Sequence, residues 1–170
     1  YPAKQLQWFI AGCKEDGLRA RDVVQAQGHA PDQNLQKKIE VYQLYEDQCQ
    51  REGVVDFGEL MLRSYELLRD NDAVREHYQR RFRHVLVDEF QDTNRLQYAW
   101  LKMFAPPGRT DHGEPQGVFA VGDDDQSIYA FRGATIENIL NFERDYPDLK
   151  VFKLEQNYRS TEHIVQAAND

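Results

Sequence analysis

Residues 84–94 read His84-Val85-Leu86-Val87-Asp88-Glu89-Phe90-Gln91-Asp92-Thr93-Asn94, and this stretch decides the fold. A short apolar run that breaks abruptly into acids and turn formers marks a strand whose carboxyl end opens into a polar loop. The pattern returns where Gly117-Val118-Phe119-Ala120-Val121 runs into Gly122-Asp123-Asp124-Asp125-Gln126-Ser127. A third apolar run stands at Val151-Phe152-Lys153-Leu154. Between the runs lie helical stripes. One comprises Leu96, Trp100, Leu101 and Phe104, with Asn94 and Gln97 spaced as a capping box; the other comprises Ile136, Ile139, Leu140 and Glu143. Continuous apolar strands separated by amphipathic helices predict a βαβαβ unit, with a parallel sheet covered on both faces. The segment 106–116, rich in Pro, Gly and charge, reads as a surface loop.

Working towards the amino terminus, strand signals disappear. Four apolar stripes at helical spacing follow one another: Leu6, Phe9, Ile10 and Cys13; Leu35, Ile39, Tyr42 and Cys49; Phe57, Leu60, Met61, Ser64, Leu67 and Leu68; and Val74, Tyr78 and Phe82. The polar stretch 26–32 between the first two reads as a loop. Asp56 followed by Glu59 fixes the start of the third helix as an acidic cap. The expected organisation is α/β: a small all-helical subdomain over 1–82, then a parallel sheet with flanking helices over 83–170. The helix begun at 160–170 stops without a cap, and a three-stranded sheet would leave bare edges, so the chain reads as a piece of a longer protein.

Composition narrows the function classes. The 170 residues are 41% hydrophobic and include 2 Trp, 9 Tyr and 9 Phe, enough to build a core. With 21 Lys+Arg against 29 Asp+Glu, the net charge of -8 excludes a nucleic-acid binder that works by bulk positive charge. Nucleic acid could be held only by a local basic or aromatic groove. No apolar run approaches a membrane span, and the start Tyr1-Pro2-Ala3-Lys4-Gln5 lacks a signal-peptide core, so the chain reads as soluble and unprocessed. Cys13 and Cys49 fall on apolar helical positions without metal-ligand spacing and read as buried, reduced thiols of an intracellular protein. The five histidines show no ligand spacing either, and Arg80, Arg81 and Arg83 read as a solvated face.

In an open parallel sheet, ligands bind beyond the carboxyl ends of the strands. Two of the three runs end there in acids, which repel one another unless a cation lies between them. A hard ion such as Mg²⁺, its shell completed by phosphate oxygens, is the natural occupant. An apolar strand ending in Asp-Glu is also the Walker-B arrangement, in which one carboxylate holds Mg²⁺ and the next orients or deprotonates a water. The competing explanation is that these acids are helix caps and solvated turns. Calcium is excluded, because an EF-hand loop starting at Asp123 would need Gly where Ile128 stands. A phosphate-cradling Gly-Lys loop is absent as well: the sequence contains no Gly-Lys dipeptide.

Three stretches in order carry a resemblance: Asp88-Glu89-Phe90-Gln91-Asp92-Thr93; Val121 through Ala134, including Gln126-Ser127-Ile128-Tyr129-Ala130-Phe131-Arg132-Gly133; and Leu154-Glu155-Gln156-Asn157-Tyr158-Arg159-Ser160. They resemble helicase motifs II, III and IV of the UvrD/Rep/PcrA family of superfamily 1A DNA helicases. Val55-Asp56-Phe57-Gly58-Glu59-Leu60 is similar to the family's segment upstream of motif II. The resemblance implies a partial RecA-like motor domain 1A, ending at the hinge to domain 2A, preceded by a 1B-like helical insertion. It implies ATP and Mg²⁺ as cofactors, and single-stranded and duplex DNA as partners. Asp88 would hold the metal and Glu89 would activate the hydrolytic water. Gln126 would sense the γ-phosphate, Arg159 would reach it from across the cleft, and Tyr158 would stack on adenine. Tyr129, Phe131 and Arg132 would face the single strand, with Phe131 as a base-stacking platform that tolerates any sequence. Relatives often carry Trp where this chain has Phe131, which offers a smaller stacking area.

The implied parent is a bacterial, cytoplasmic, nucleoid-associated helicase that unwinds 3′ to 5′ in repair or replication. Without the Gly-Lys loop and second motor domain, the chain alone is expected to be inactive. Outside that family context Tyr158 and Phe131 could be core aromatics, Arg159 a partner of Glu155, and Gln126 a helix N-terminal residue. Two other classes stay open: a Mg²⁺-dependent nuclease or phosphatase using Asp88, Glu89, Asp92 and Asp123, and a non-catalytic interaction domain.

Overall fold

Asp and Asn side chains open four of the helices. Asp32 Oδ1 accepts the N–H of Leu35 at 2.7 Å, Asp56 Oδ1 that of Glu59 at 2.6 Å and Asn71 Oδ1 that of Val74 at 3.2 Å. Asn94 and Gln97 form the expected reciprocal capping box, each bond 2.9 Å. The computed structural model describes residues 2–28, 30–108, 117–123, 126 and 137–169. Its elements are α1 Ala3–Glu15, α2 Val23–Gln27, α3 Gln33–Glu52, α4 Phe57–Asp70, α5 Asp72–Arg81, β1 His84–Val87, α6 Arg95–Phe104, β2 Gly117–Ala120, α7 Glu137–Asp145 and α8 Glu162–Asn169. The expected loop 26–32 begins two residues late, because α2 runs to Gln27 before Gly28 ends it at φ 69°.

The helical part closes around Ile10, Cys13, Ala20, Val23, Ile39 and Tyr42, so the first two predicted stripes face one core. Cys13 and Cys49 are both free thiols; Cys13 is buried, whereas Cys49 is only half-buried. Burial is the main reason the Cys13 thiol is pushed up to about 11. The third stripe is corrected. Leu68 is buried as expected, but Phe57 is 92% exposed and Leu60 and Leu67 are exposed, while Leu62 and Glu59 are buried in their place. The inward face of α4 is chosen by charge. Glu59 and Glu66, about two turns apart on one side, meet the cations of Lys14 and Arg19.

This network fills the space between α1, α3 and α4. Arg19 Nη1 donates to Glu59 Oε1 at 2.8 Å and Glu46 Oε1 at 3.0 Å, while its Nε and Nη2 grip Glu66 at 2.8 and 2.6 Å. Lys14, 3% exposed, donates to Asp56 Oδ2 at 2.8 Å and lies 3.0 Å from Glu59 Oε2. Burial acts to raise the Glu59 carboxyl, but hydrogen bonds from Arg63, Arg19 and Lys14 outweigh it and hold the group at about 2, below its ordinary 4.5. A depressed folded value means stability that is present above pH 4.5 and lost as pH falls towards 2. We expect urea melts at pH 6 and pH 3 to differ by about 2 kcal/mol from this group. Glu59→Gln should flatten that difference; an unchanged pH slope in the variant would remove Glu59 as its source.

Helix α6 joins the two parts. One face carries Tyr98 and Leu101 into a second core with Phe90 and Phe142, packed on Val85, Val87, Val118 and Ala120. Its other side meets the helices before it. Trp100 Nε1 donates to Ser64 Oγ at 2.8 Å, Gln79 Nε2 donates to the Met103 carbonyl at 2.7 Å, and Phe104 packs edge-on to Tyr78 and Phe82.

β1 and β2 pair in parallel, His84 opposite Gly117 through Val87 opposite Ala120, with α6 in the crossover between them. The expected βαβαβ is thus a βαβ among the described residues. Val151, Phe152 and Leu154 are exposed and form no strand, since among the described residues no ladder takes their backbone groups. Coverage of both sheet faces is also corrected: α6 and α7 share one face, and on the other Leu86 is 75% exposed beside exposed Phe119. No helix among the described residues is long and apolar enough to cross a membrane.

Candidate active site

The strands hold their ends together for one residue beyond the ladder. Val121 N donates to the Val87 carbonyl at 2.8 Å, and Phe90 N donates to the Val121 carbonyl at 2.9 Å. Between these bonds the chain must turn sharply. Glu89 makes the turn at φ 50°, the one non-glycine with positive φ among the described residues. A left-handed carboxylate residue costs about 1–2 kcal/mol of backbone strain. Phe90, buried in the second core, anchors the kink, and Asp88 and Glu89 are left exposed at the mouth of the sheet. Strain of this kind collects at functional sites.

Gln91 organises what lies behind those acids. It is 1% exposed; its Nε2 donates to Glu89 Oε2 at 2.7 Å, and its Oε1 accepts the N–H of Asp123 at 3.0 Å. Asp123 in turn takes Gln126: its carbonyl accepts Gln126 N at 3.1 Å, and its Oδ2 accepts Gln126 Nε2 at 2.6 Å. Glu89 and Gln126, 37 positions apart by their numbers, are joined through the Gln91 side chain and the backbone and carboxylate of Asp123. Gly122 is required by the same packing, since a Cβ there would stand 2.8 Å from Gln91 Oε1 and 3.4 Å from Gln91 N.

A second buried amide closes the far side of the loop. Asn138 Nδ2 donates to the Thr93 carbonyl at 2.8 Å, and to Thr93 Oγ1 and the Asn94 carbonyl at 3.2 Å each. Asp92 Oδ1 is buried without a hydrogen-bond partner among the described residues. Gln91 and Asn138 are the residues that sequence reasoning passed over. Their only signal was an amide among acids, or on an apolar helix, and burial alone gives that meaning.

The other sequence candidates stand differently. Tyr129, Phe131 and Arg132 lie outside the described residues, as do Asp124, Asp125 and Ser127. Tyr158 is 87% exposed in this chain, and its hydroxyl donates to Gln156 Oε1 at 3.0 Å. Asn157 Oδ1 accepts the N–H groups of Arg159 and Ser160, both at 2.9 Å, in an exposed turn. Among the described residues no ion pair joins Arg159 to Glu155, and no hydrogen bond joins Tyr158 or Arg159 to the strand-end acids. Asp88, Glu89, Asp92 and Asp123 are all described, yet no three Asp, Glu, His or Cys side chains gather there as a metal-holding group.

A strained acidic turn tied by hydrogen bonds to a Gly-Asp loop is found in a chain whose residues 1–147 match the family model of the UvrD/REP helicase N-terminal domain. The chain belongs to that family. DNA helicase II of Escherichia coli (strain K12) is 47% identical over 169 residues, covering 99% of this chain and 22% of that protein. DNA helicase II of Haemophilus influenzae (strain Rd) is 46% identical over 170 residues, covering all of this chain and 22% of that protein. ATP-dependent DNA helicase UvrD1 of Mycobacterium tuberculosis (strain H37Rv) is 48% identical over 129 residues, 76% of this chain. The helicase-domain chain therefore spans about a fifth of the length of the curated relatives it matches.

Proposed function

We propose that this chain is part of the ATP-driven motor of a DNA helicase, in which the β1 turn and the loop after β2 form one side of the nucleotide site. The observation that carries the reading is the hydrogen-bonded run Glu89–Gln91–Asp123–Gln126 at the carboxyl end of a parallel sheet. The names of its relatives, DNA helicase II and ATP-dependent DNA helicase, support it. In this reading residues 83–170 belong to a RecA-like motor domain, and residues 1–82 to a helical insertion resting on α6.

The strand-end residues suit a metal-bound nucleotide. Asp88 Oδ1 takes the Glu89 N–H at 3.0 Å, which steers the carboxylate and leaves Oδ2 for a hard cation. MgATP brings the phosphoryl group and much of the charge neutralisation that its transfer needs. Glu89, held outward by its kink and by Gln91, orients the attacking water and accepts its proton. Gln126, tethered to Asp123, would offer its amide to the γ-phosphate. Arg159 offers a second cation from the motif IV turn, and exposed Tyr158 offers a ring to adenine. Tyr129, Phe131 and Arg132, on the continuation of the Gln126 segment, contact single-stranded DNA, so that nucleotide state and DNA grip share one stretch of backbone. The parent is then a bacterial cytoplasmic enzyme, associated with the nucleoid, that unwinds duplex DNA 3′ to 5′ in repair or replication.

ATP hydrolysis by the full-length parent and by residues 1–170 alone, with and without single-stranded DNA, tests this. We expect DNA-stimulated turnover by the parent and none above buffer by the chain alone. A parent indifferent to DNA, or one that cuts phosphodiesters with metal and no ATP, would refute the motor reading.

A further inference from the structure

We propose that Gln91 is a positioning residue for the hydrolytic carboxylate: its buried amide fixes Glu89 Oε2 and the Asp123 N–H at once, so that Glu89 stands in register only while the loop after β2 is docked. The inference rests on the motor reading above and deepens it. Its basis is geometric. A glutamate side chain exposed at a strand mouth has several rotamers, and a single donor at 2.7 Å selects one of them. The donor is itself immobile. Gln91 is almost fully buried, its carbonyl accepts from Asp123 N, and it fits there only because residue 122 is glycine, a Cβ at that position standing 2.8 Å from its Oε1.

Burying a primary amide is costly unless both ends are satisfied. Here one end is satisfied by the β1 turn and the other by the β2 loop. The Glu89 rotamer and the position of Asp123 therefore rise and fall together. Since Asp123 also binds the Gln126 amide at 2.6 Å, a shift of Gln126 towards or away from a phosphate is felt at Glu89 through three successive hydrogen bonds. Asn138, the other buried amide, contacts only Thr93 and Asn94 in this turn and offers Glu89 nothing, so the two roles are separable.

The test is steady-state ATP hydrolysis by the full-length parent with saturating single-stranded DNA. Gln91→Glu keeps the size and an acceptor for Asp123 N but places a second acceptor against Glu89 Oε2. We expect kcat to fall roughly ten- to a hundredfold with KM for ATP within about threefold of wild type, because orientation rather than binding is lost. Trp100→Phe, which removes the hydrogen bond to Ser64 on the other side of α6, serves as the stability control. It should lower the melting temperature without that split. Should Gln91→Glu not accumulate folded, Gln91→Asn, one methylene too short to span both partners, must show the same kcat loss.

Wild-type kcat in a folded Gln91 variant, or a loss shared equally with Trp100→Phe at matched melting temperature, would overturn the positioning role. The outcomes are distinguishable. If Glu89→Gln is inactive while Gln91 variants are normal, only this inference fails; if Glu89→Gln is active, the motor reading fails first.

Discussion

Glu89→Gln in the full-length parent is expected to abolish ATP turnover while ATP still binds. The amide keeps the volume of the carboxylate and can still meet Gln91, but it cannot accept a proton from water. Loss of a positioned general base costs on the order of 10²–10⁴ in rate. The structure gives reasons to expect the upper end. The left-handed backbone at Glu89 and the 2.7 Å bond from Gln91 hold one carboxylate in one place, and Asp88 beside it already spends an oxygen on the Glu89 N–H. Single-turnover hydrolysis gives the rate, and equilibrium binding of a fluorescent ATP analogue shows that the site is intact. Hydrolysis within tenfold of wild type would take the role from Glu89.

Arg19→Met should destabilise the helical part by about 3 kcal/mol, the lower end of the range for breaking a buried ion pair from one side, because Arg19, Glu46 and Glu66 are only partly buried. Three carboxylates converge on one guanidinium, and Glu66 holds it at both Nε and Nη2, which is the chief reason its proton is held more tightly than usual. Without that cation Glu46, Glu59 and Glu66 face one another in a half-buried space, with Lys14 able to serve only Glu59 and Asp56. Against a total stability of about 5–15 kcal/mol, a loss of this size is visible in any urea melt, with Trp8 and Trp100 as probes. Arg19→Lys should recover little, since an ammonium cannot reproduce the bidentate grip. A loss under about 1 kcal/mol would mean that the network behaves as solvated surface pairs.

How much of this was legible beforehand depends on the range of the interaction. The capping box at Asn94, the Asp56 cap and the parallel pairing of His84–Val87 with Gly117–Ala120 were readable, because each depends on residues a few positions apart or on plain apolar runs. The third strand was not. Val151-Phe152-Lys153-Leu154 has strand chemistry, but a strand exists only where another edge accepts it. The α4 stripe misled for a similar reason: counting apolar residues favoured Phe57 and Leu60, whereas the cations of Lys14 and Arg19 drew Glu59 and Glu66 inward.

At the candidate site, sequence alone determined which chemistries were on offer: an Asp-Glu pair and a Gly-Asp-Asp-Asp-Gln run, each at the end of an apolar strand. Only tertiary structure decided that Glu89 and Gln126 belong to one hydrogen-bonded unit, and that unremarked Gln91 is its centre. The difference is physical. Residue type sets what a group can donate or accept, but burial sets whether it must find a partner, and burial is a property of the packed chain.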